Sequence, residues 1–397
     1  MEKVSDLLAR LSGSATIAMN QRSKDLQNQG VDVINLSVGE PDFNSPDHIK
    51  EAAKKAIDDN YSFYPPVPGF PELRKAITEK LKKQNQLDYT VDQIVVSSGA
   101  KHSIVNVILA LVNKGDEVII PAPYWVSYPE QVKIADGKPV IVNTEFENDF
   151  RATPGQIEEA ITEKTRAIIL CSPSNPTGST YSKEELKGIA DVLAKHDNII
   201  IISDEIYEHI NFVGKHESIA QFDNVKDRVV LVNGVSKGYA MTGWRLGYLA
   251  APVWIARAVA KLQGQFTSGA TSVAQITAIA ALTGDHAPTR AMNVAYQRRR
   301  DLLLKHLGEI EGVKCSVPGG AFYVFPDMSH YFGKKVDGKV IANSGDLCMY
   351  LLESGHIATV PGDAFGAPDC IRISYANSDE NLEEAMKRLK ASLAKLS

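Results

Sequence analysis

The chain has 397 residues, of which 44% are hydrophobic and 23% charged, with a formal net charge of −5. That length points to two domains rather than one core, and the acidic balance argues against a nucleic-acid partner, whose phosphates need a basic face. No apolar run reaches the roughly 18–20 residues that span a membrane. The opening MEKVSDLLARLSGS lacks the basic-then-apolar layout of a signal peptide. Four cysteines (Cys171, Cys315, Cys348, Cys370) are scattered without a CxxC pair, which fits reduced thiols in a cytoplasmic enzyme. The nine histidines show no HExxH spacing, so no metal site is expected.

In chain order, the first 45 residues, including the loop SVGEPDFNSP, are short of strands and are expected to pack against the second domain. Seven short apolar strands follow, alternating with amphipathic helices: 93–98, 116–121, 138–143, 166–172, 198–204, 228–233 and 246–251. Helices are expected over 101–113 and 182–196, the second opened by a capping box of Ser182 and Glu185. Strands such as NIIIIS, apolar throughout, imply a mostly parallel α/β sheet covered on both faces. From about residue 288 the pattern changes to a long charged helix, the segment GGAFYVFPD, helix 344–354, the strand CIRISYA and a last helix 378–395. This reads as a smaller α+β domain. The expected division is therefore 1–45 (N-terminal segment), 46–287 (large domain) and 288–397 (small domain).

In open α/β sheets, ligands bind outside the carboxyl ends of the strands. Four polar clusters lie at such ends. Gly99-Ala100-Lys101 opens a helix, whose free N–H groups suit a phosphate. Pro173-Ser174-Asn175-Pro176-Thr177-Gly178 presents an amide, and Asp204-Glu205-Ile206-Tyr207 a carboxylate and a phenol. Gly234-Val235-Ser236-Lys237 presents an amine, with Arg245 eight residues beyond Lys237. Each cluster alone would pass for an ordinary turn or helix cap. Together they supply an anion cradle, amide, carboxylate, phenol and amine at one sheet edge. A lysine among apolar neighbours and near another cation has a lowered pKa, and a neutral amine forms Schiff bases. These are the needs of pyridoxal 5′-phosphate: a lysine for the aldehyde, N–H groups and an arginine for the phosphate, and a carboxylate for the ring nitrogen. Asp204 is the expected partner of that nitrogen, and Asn175 with Tyr207 of the ring oxygen.

The run from Gly234 to Lys237 and on through Met241-Thr242-Gly243-Trp244-Arg245-Leu246-Gly247 resembles the pyridoxal-phosphate attachment signature of class-I aminotransferases. Ser172–Gly178, Ser203–Tyr207 and Arg372-Ile373-Ser374-Tyr375 match the same family in the same order, so the resemblance covers essentially the whole chain. It implies fold type I, a homodimer with shared active sites, and amino-acid and 2-oxoacid substrates. It implies that Lys237 carries the cofactor and moves the Cα proton, and that Ser236, Arg245 and the Gly99–Lys101 helix start bind phosphate. Tyr64 would reach the phosphate of the neighbouring subunit, and Trp125 would stack on the ring. Gly39 would allow close approach of the substrate carboxylate, which Arg372 would clamp.

The segment 262–275 has no arginine, which removes the usual reader of a second substrate carboxylate. A bacterial branch of the family reads that group with a lysine at the position of Lys101, aided by Ser14 and Thr16. The resemblance therefore implies transfer between L-aspartate and 2-oxoglutarate by a ping-pong route, with prephenate as a possible further acceptor. An aromatic or alanine-type aminotransferase, or a C–S β-lyase of the same fold, is the alternative. A pyridoxal-sensing transcription regulator is disfavoured for want of a basic DNA-binding extension. A Rossmann dehydrogenase is disfavoured because no GxGxxG follows a strand.

Overall fold

Strands that are apolar at every position need cover on both faces, and the central sheet meets that need. The computed structural model describes residues 4–397; the first three residues of the N-terminal segment lie outside the described residues. After β1 (Ile34–Asn35), the sheet comprises β2 (Ile94–Ser97), β3 (Glu117–Ala122), β4 (Lys138–Asn143), β5 (Thr165–Cys171), β6 (Ile200–Asp204), β7 (Val229–Gly234) and β8 (Gly247–Ala250). Their order is β2-β8-β7-β6-β5-β3-β4. β8 runs antiparallel to both its neighbours, while the other pairings are parallel.

Successive side chains of a strand point to opposite faces, and the core divides accordingly. Ile168, Ile201 and Leu231 pack into one cluster with Leu73, Ile77 and Leu186. Ile169, Ile202 and Val232 pack into another with Ile104, Ile108 and Val259. The helix Lys183–Leu193 starts at the expected capping box: Ser182 Oγ accepts from the Glu185 amide, and Glu185 accepts from the Ser182 amide. Strand ends differ from the sequence reading by a residue or two. β6 begins at Ile200 rather than Asn198, because the Asn198 carbonyl is taken by the Arg166 guanidinium instead of a sheet partner.

A separate core lies around the helices Ala287–Gly308, Ser344–Gly355 and Asp379–Leu393, and includes Tyr296, Phe322, Ile373 and Leu389. Its strands are β9 (Tyr323–Val324), a hairpin of β10 (Lys335–Val336) and β11 (Lys339–Val340), β12 (Ile357–Ala358), β13 (Val360–Pro361) and β14 (Ile371–Ser374). β14 lies antiparallel between β13 and β9. β1 pairs in parallel with β12, which brings residues 34–35 to this second core, whereas Arg10 and Ser12 bond Asp136 and Glu130 beside the central sheet.

Candidate active site

The carboxyl ends of β2, β5, β6 and β7 and the start of β8 meet at one edge of the sheet, where Ser97 and Gly234 both face Gly247. A cavity of about 350 Å³ opens there, within the size range of small-molecule sites. Lys237 follows β7 and enters the cavity beside Tyr207 and Phe322, with Nζ 5.7 Å from each ring centre. Nζ donates to the Gly39 carbonyl at 2.5 Å. Burial lowers its pKa to about 8; Glu40 opposes the shift, while Arg372 and Arg245 add to it. Lys237 is thus an amine poised to lose its proton near neutrality, the property a carbonyl-trapping lysine requires.

Asp204 ends β6 and is buried. Tyr128 donates its hydroxyl to Oδ2 at 2.6 Å, and the Ile206 amide lies 3.3 Å from Oδ1. Burial pushes the carboxyl up to about 6, against the pull of these two donors. Tyr207 is also buried, its hydroxyl 2.8 Å from that of Tyr323.

An anion cradle lies at the start of the helix Ala100–Leu111, whose cap, Gly99, offers no side-chain bond to the first turn. Gly99 has φ 91°, and a Cβ there would stand 2.7 Å from Arg245 Nη2, so only glycine lets the guanidinium lie over this backbone. Arg245 itself is in the left-handed region (φ 54°) and donates to the Thr242 carbonyl at 2.8 Å. Ala100, Arg245 and the buried Ser236 border the same cavity.

Opposite the cradle, Arg372 on β14 is only 1% exposed. It donates to Asn175 Oδ1 at 3.0 Å and to the Ser37 carbonyl at 2.5 Å, and stacks 4.5 Å over Tyr323. Among the described residues its Nε has no hydrogen-bond partner, an unused donor on a buried cation that borders the cavity. Gly39 also borders the cavity, and a Cβ there would strike the Tyr323 hydroxyl. Lys101 Nζ sits 4.7 Å over the Trp125 ring, and Ser14 and Thr16 also border the cavity. Burial lowers the Lys101 pKa, and Arg245 adds to the shift.

Two expected residues do not border the cavity: Gly99 lies under Arg245 just before its lining residue Ala100, and Tyr64 is 93% exposed and not brought there by its own chain. Several residues that do border it went unread in the sequence. Tyr128 holds Asp204 from 76 positions away, Tyr323 backs both Tyr207 and Arg372, and Glu40 accepts a hydrogen bond from Thr242. Tyr128 and Glu40 lie within three residues of Trp125 and Gly39, and that proximity was the available signal.

Residues 31–389 match the family model for aminotransferase class I and II. The chain is 51% identical to a bifunctional aspartate aminotransferase and glutamate/aspartate-prephenate aminotransferase of Petunia hybrida, covering 96% of this chain and 80% of that protein. It is 46% identical to a probable aspartate/prephenate aminotransferase of Rickettsia bellii, over the whole of both chains. Among solved structures, the aspartate aminotransferase of Rhizobium meliloti superposes with a TM-score of 0.97 at 41% identity, over all of both chains. That of Thermus thermophilus with maleate gives 0.93 at 39%, covering 99% of this chain and all of that one. A match of this extent, on a site built around a buried lysine, carboxylate and arginine, makes the chain a member of the class I and II aminotransferase family.

Proposed function

We propose that this enzyme moves the amino group of L-aspartate to 2-oxoglutarate, giving oxaloacetate and L-glutamate, and also aminates prephenate to arogenate, with pyridoxal 5′-phosphate as cofactor. The observation that carries the reading is the convergence of Lys237, Asp204, Arg245 and Arg372 on one cavity. The residues fit the cofactor: a glycine-floored anion cradle under Arg245, a buried carboxyl at Asp204 and an amine of lowered pKa. When bound, pyridoxal phosphate supplies an aldehyde for an amine and a ring that takes up the electron pair released at Cα.

The chain's own residues do the rest. Arg372 takes the substrate α-carboxylate with its guanidinium, beside Asn175 and Gly39, where a planar fork holds a carboxylate better than an ammonium would. Lys237 Nζ, once free, accepts the Cα proton and returns it on the other side of the exchange. Asp204, fixed by Tyr128, holds the proton of the ring nitrogen. Tyr207, fixed by Tyr323, donates to the ring oxygen together with Asn175. Gly99, Ala100, Ser236 and Arg245 bind the phosphate, and Trp125 lends its face to the ring. Tyr64 completes the phosphate site of a second copy of the chain. Its own exposure, with that of Phe63 (80%) and Phe266 (65%), suits a homodimer face. The acceptors of the second half-reaction are 2-oxoacids.

Lys101, Ser14 and Thr16 read the second carboxylate. The relatives' names support this choice of substrates, as does maleate, a four-carbon dicarboxylate, in the Thermus enzyme. Removing one charge-assisted contact costs about 1.5–3 kcal/mol. Lys101→Ala should therefore lower kcat/KM for L-aspartate roughly 10- to 100-fold while leaving a neutral aromatic donor within about threefold. Equal losses for both donors would count against a dicarboxylate reader. Release of pyruvate and ammonia from a β-substituted donor, with no acceptor present, would favour a lyase instead.

A further inference from the structure

Directly behind Lys237 lies a buried charged network with no part in the site described above. Lys80 and Glu208 form an ion pair with side chains only 1% and 4% exposed, and Asn85 Nδ2 donates to the same carboxylate at 2.7 Å. Next to it, Glu205 is bonded by Ser203, Ser218 and His216. Although Glu205, Glu208 and His216 present ligand atoms within 4.8 Å of one another, internal donors engage both carboxylates, so this is a filled network rather than a metal site.

We infer that His209 is a positioning residue for Lys237: anchored by the Lys80–Glu208 pair, its ring sets the height of the Lys237–Gly238 backbone above the sheet. His209 Nε2 lies 3.3 Å from Glu208 Oε1. On its other side the ring packs edge-on to Tyr239, with centroids 5.2 Å apart. Between these two contacts it presses on Gly238, the residue after Lys237. A Cβ at Gly238 would lie 2.6 Å from His209 Cδ2 and 2.7 Å from its Cβ. The turn after Lys237 can therefore come no closer to the sheet than the anchored ring allows.

Burial lowers the His209 pKa to about 4, Glu208 opposing, so the ring is neutral at physiological pH. Burial would raise the Glu208 carboxyl, but Lys80, His209 and His216 together pull it below the ordinary carboxylate range. A buried ion pair is a poor source of net stability, because the desolvation of both charges rivals their attraction. Its use here is to fix a carboxylate, and through it a ring, in one place. A shift of about 1 Å in a reacting group can cost about 100-fold in rate, so a fixed support behind Lys237 has a catalytic return.

The inference rests on the proposed role of Lys237, and the test separates the two. His209→Ala and His209→Phe would be compared with wild type after loading with pyridoxal phosphate. The readouts are the pH midpoint of the visible absorbance change, kcat, KM and Tm. Glu40, Asp204, Arg245 and Arg372, which face Lys237 Nζ with the Tyr207 and Phe322 rings, are unaltered in both variants. His209→Ala should lower kcat roughly 10- to 100-fold with KM within about threefold and move the midpoint by about half a unit or more. His209→Phe, which keeps a flat ring against Gly238 but loses the Glu208 anchor, should recover only part of kcat. If His209→Ala does not fold, Gly238→Ala pushes on the same contact and should also move the midpoint. An unmoved midpoint and kcat, whatever happens to Tm, would overturn the positioning role, as would equal impairment in the Ala and Phe variants. A wild-type protein with no pyridoxal-dependent visible band would overturn the proposed function and this inference with it.

Discussion

A carboxyl group shut away from water must be protonated or given donors, and Asp204 sits between these outcomes. Its pKa of about 6 exceeds the ordinary 3.8 because burial outweighs the Tyr128 and Ile206 contacts. Between those two values the folded chain holds more protons on this group than the unfolded chain, so its contribution to stability falls as pH rises through the window. At about 1.4 kcal/mol per unit, the gap corresponds to about 3 kcal/mol above pH 6. Asp204→Asn should thus make the cofactor-free protein more stable than wild type at pH 7 but not at pH 4, as denaturant titrations would read. The same variant should lose at least about 100-fold in kcat once loaded with cofactor. A stability difference independent of pH would mean that the carboxyl is not under strain from burial. At this scale the sequence was most informative where a residue type is rare in its setting, as with Lys237 among small and apolar neighbours. Tyr323 was illegible, and Tyr128 had only its closeness to Trp125 as a signal, because their roles come from contacts 116 and 76 positions away and an aromatic residue in a sequence reads equally well as core.

At the scale of elements, the cradle depends on β8 lying close against the start of a helix. A Cβ at Gly247 would collide with the Ala100 amide and the Gly99 carbonyl carbon, both backbone atoms with no freedom to yield. Gly247→Ala should push the Gly99–Ala100 turn out of line and weaken pyridoxal phosphate binding about tenfold or more, equivalent to about 1.4 kcal/mol. Equilibrium dialysis measures that directly, and unchanged affinity would remove the cradle from the phosphate site. The strands themselves were readable because the β-branched, wholly apolar runs admit few alternatives. Strand limits were not, because side-chain bonds such as Arg166 to the Asn198 carbonyl compete with the ladder. The short strands β1, β9, β12 and β13 carry two residues each, too few for a periodic signal.

For the whole molecule, the cavity draws on elements from both cores: Lys237 and Asp204 come from the sheet, Arg372 from β14, and Gly39 from the segment after β1. Ser45 donates to the Ala240 carbonyl and Trp244 Nε1 to Ser45 Oγ, which ties that segment to the turn beyond Lys237. Sequence order revealed which strand ends share an edge, while the expectation of a second copy came from the family resemblance alone; the exposure of Tyr64 leaves it free for such a role. If each site borrows Tyr64 from its neighbour, mixing Tyr64→Ala with Lys237→Ala subunits forms some dimers with one intact site. The refolded mixture should be more active than the sum of its parents, and strictly additive activity would contradict a shared site.

The most direct measurement is a single turnover. Pyridoxal-loaded wild type is mixed with L-aspartate in the absence of any 2-oxoacid, and the visible band and the oxaloacetate released are followed together. The account predicts loss of the band with about one equivalent of oxaloacetate per subunit, and neither change in Lys237→Ala. Stoichiometric oxaloacetate from Lys237→Ala at the wild-type rate, or none from wild type, would contradict it.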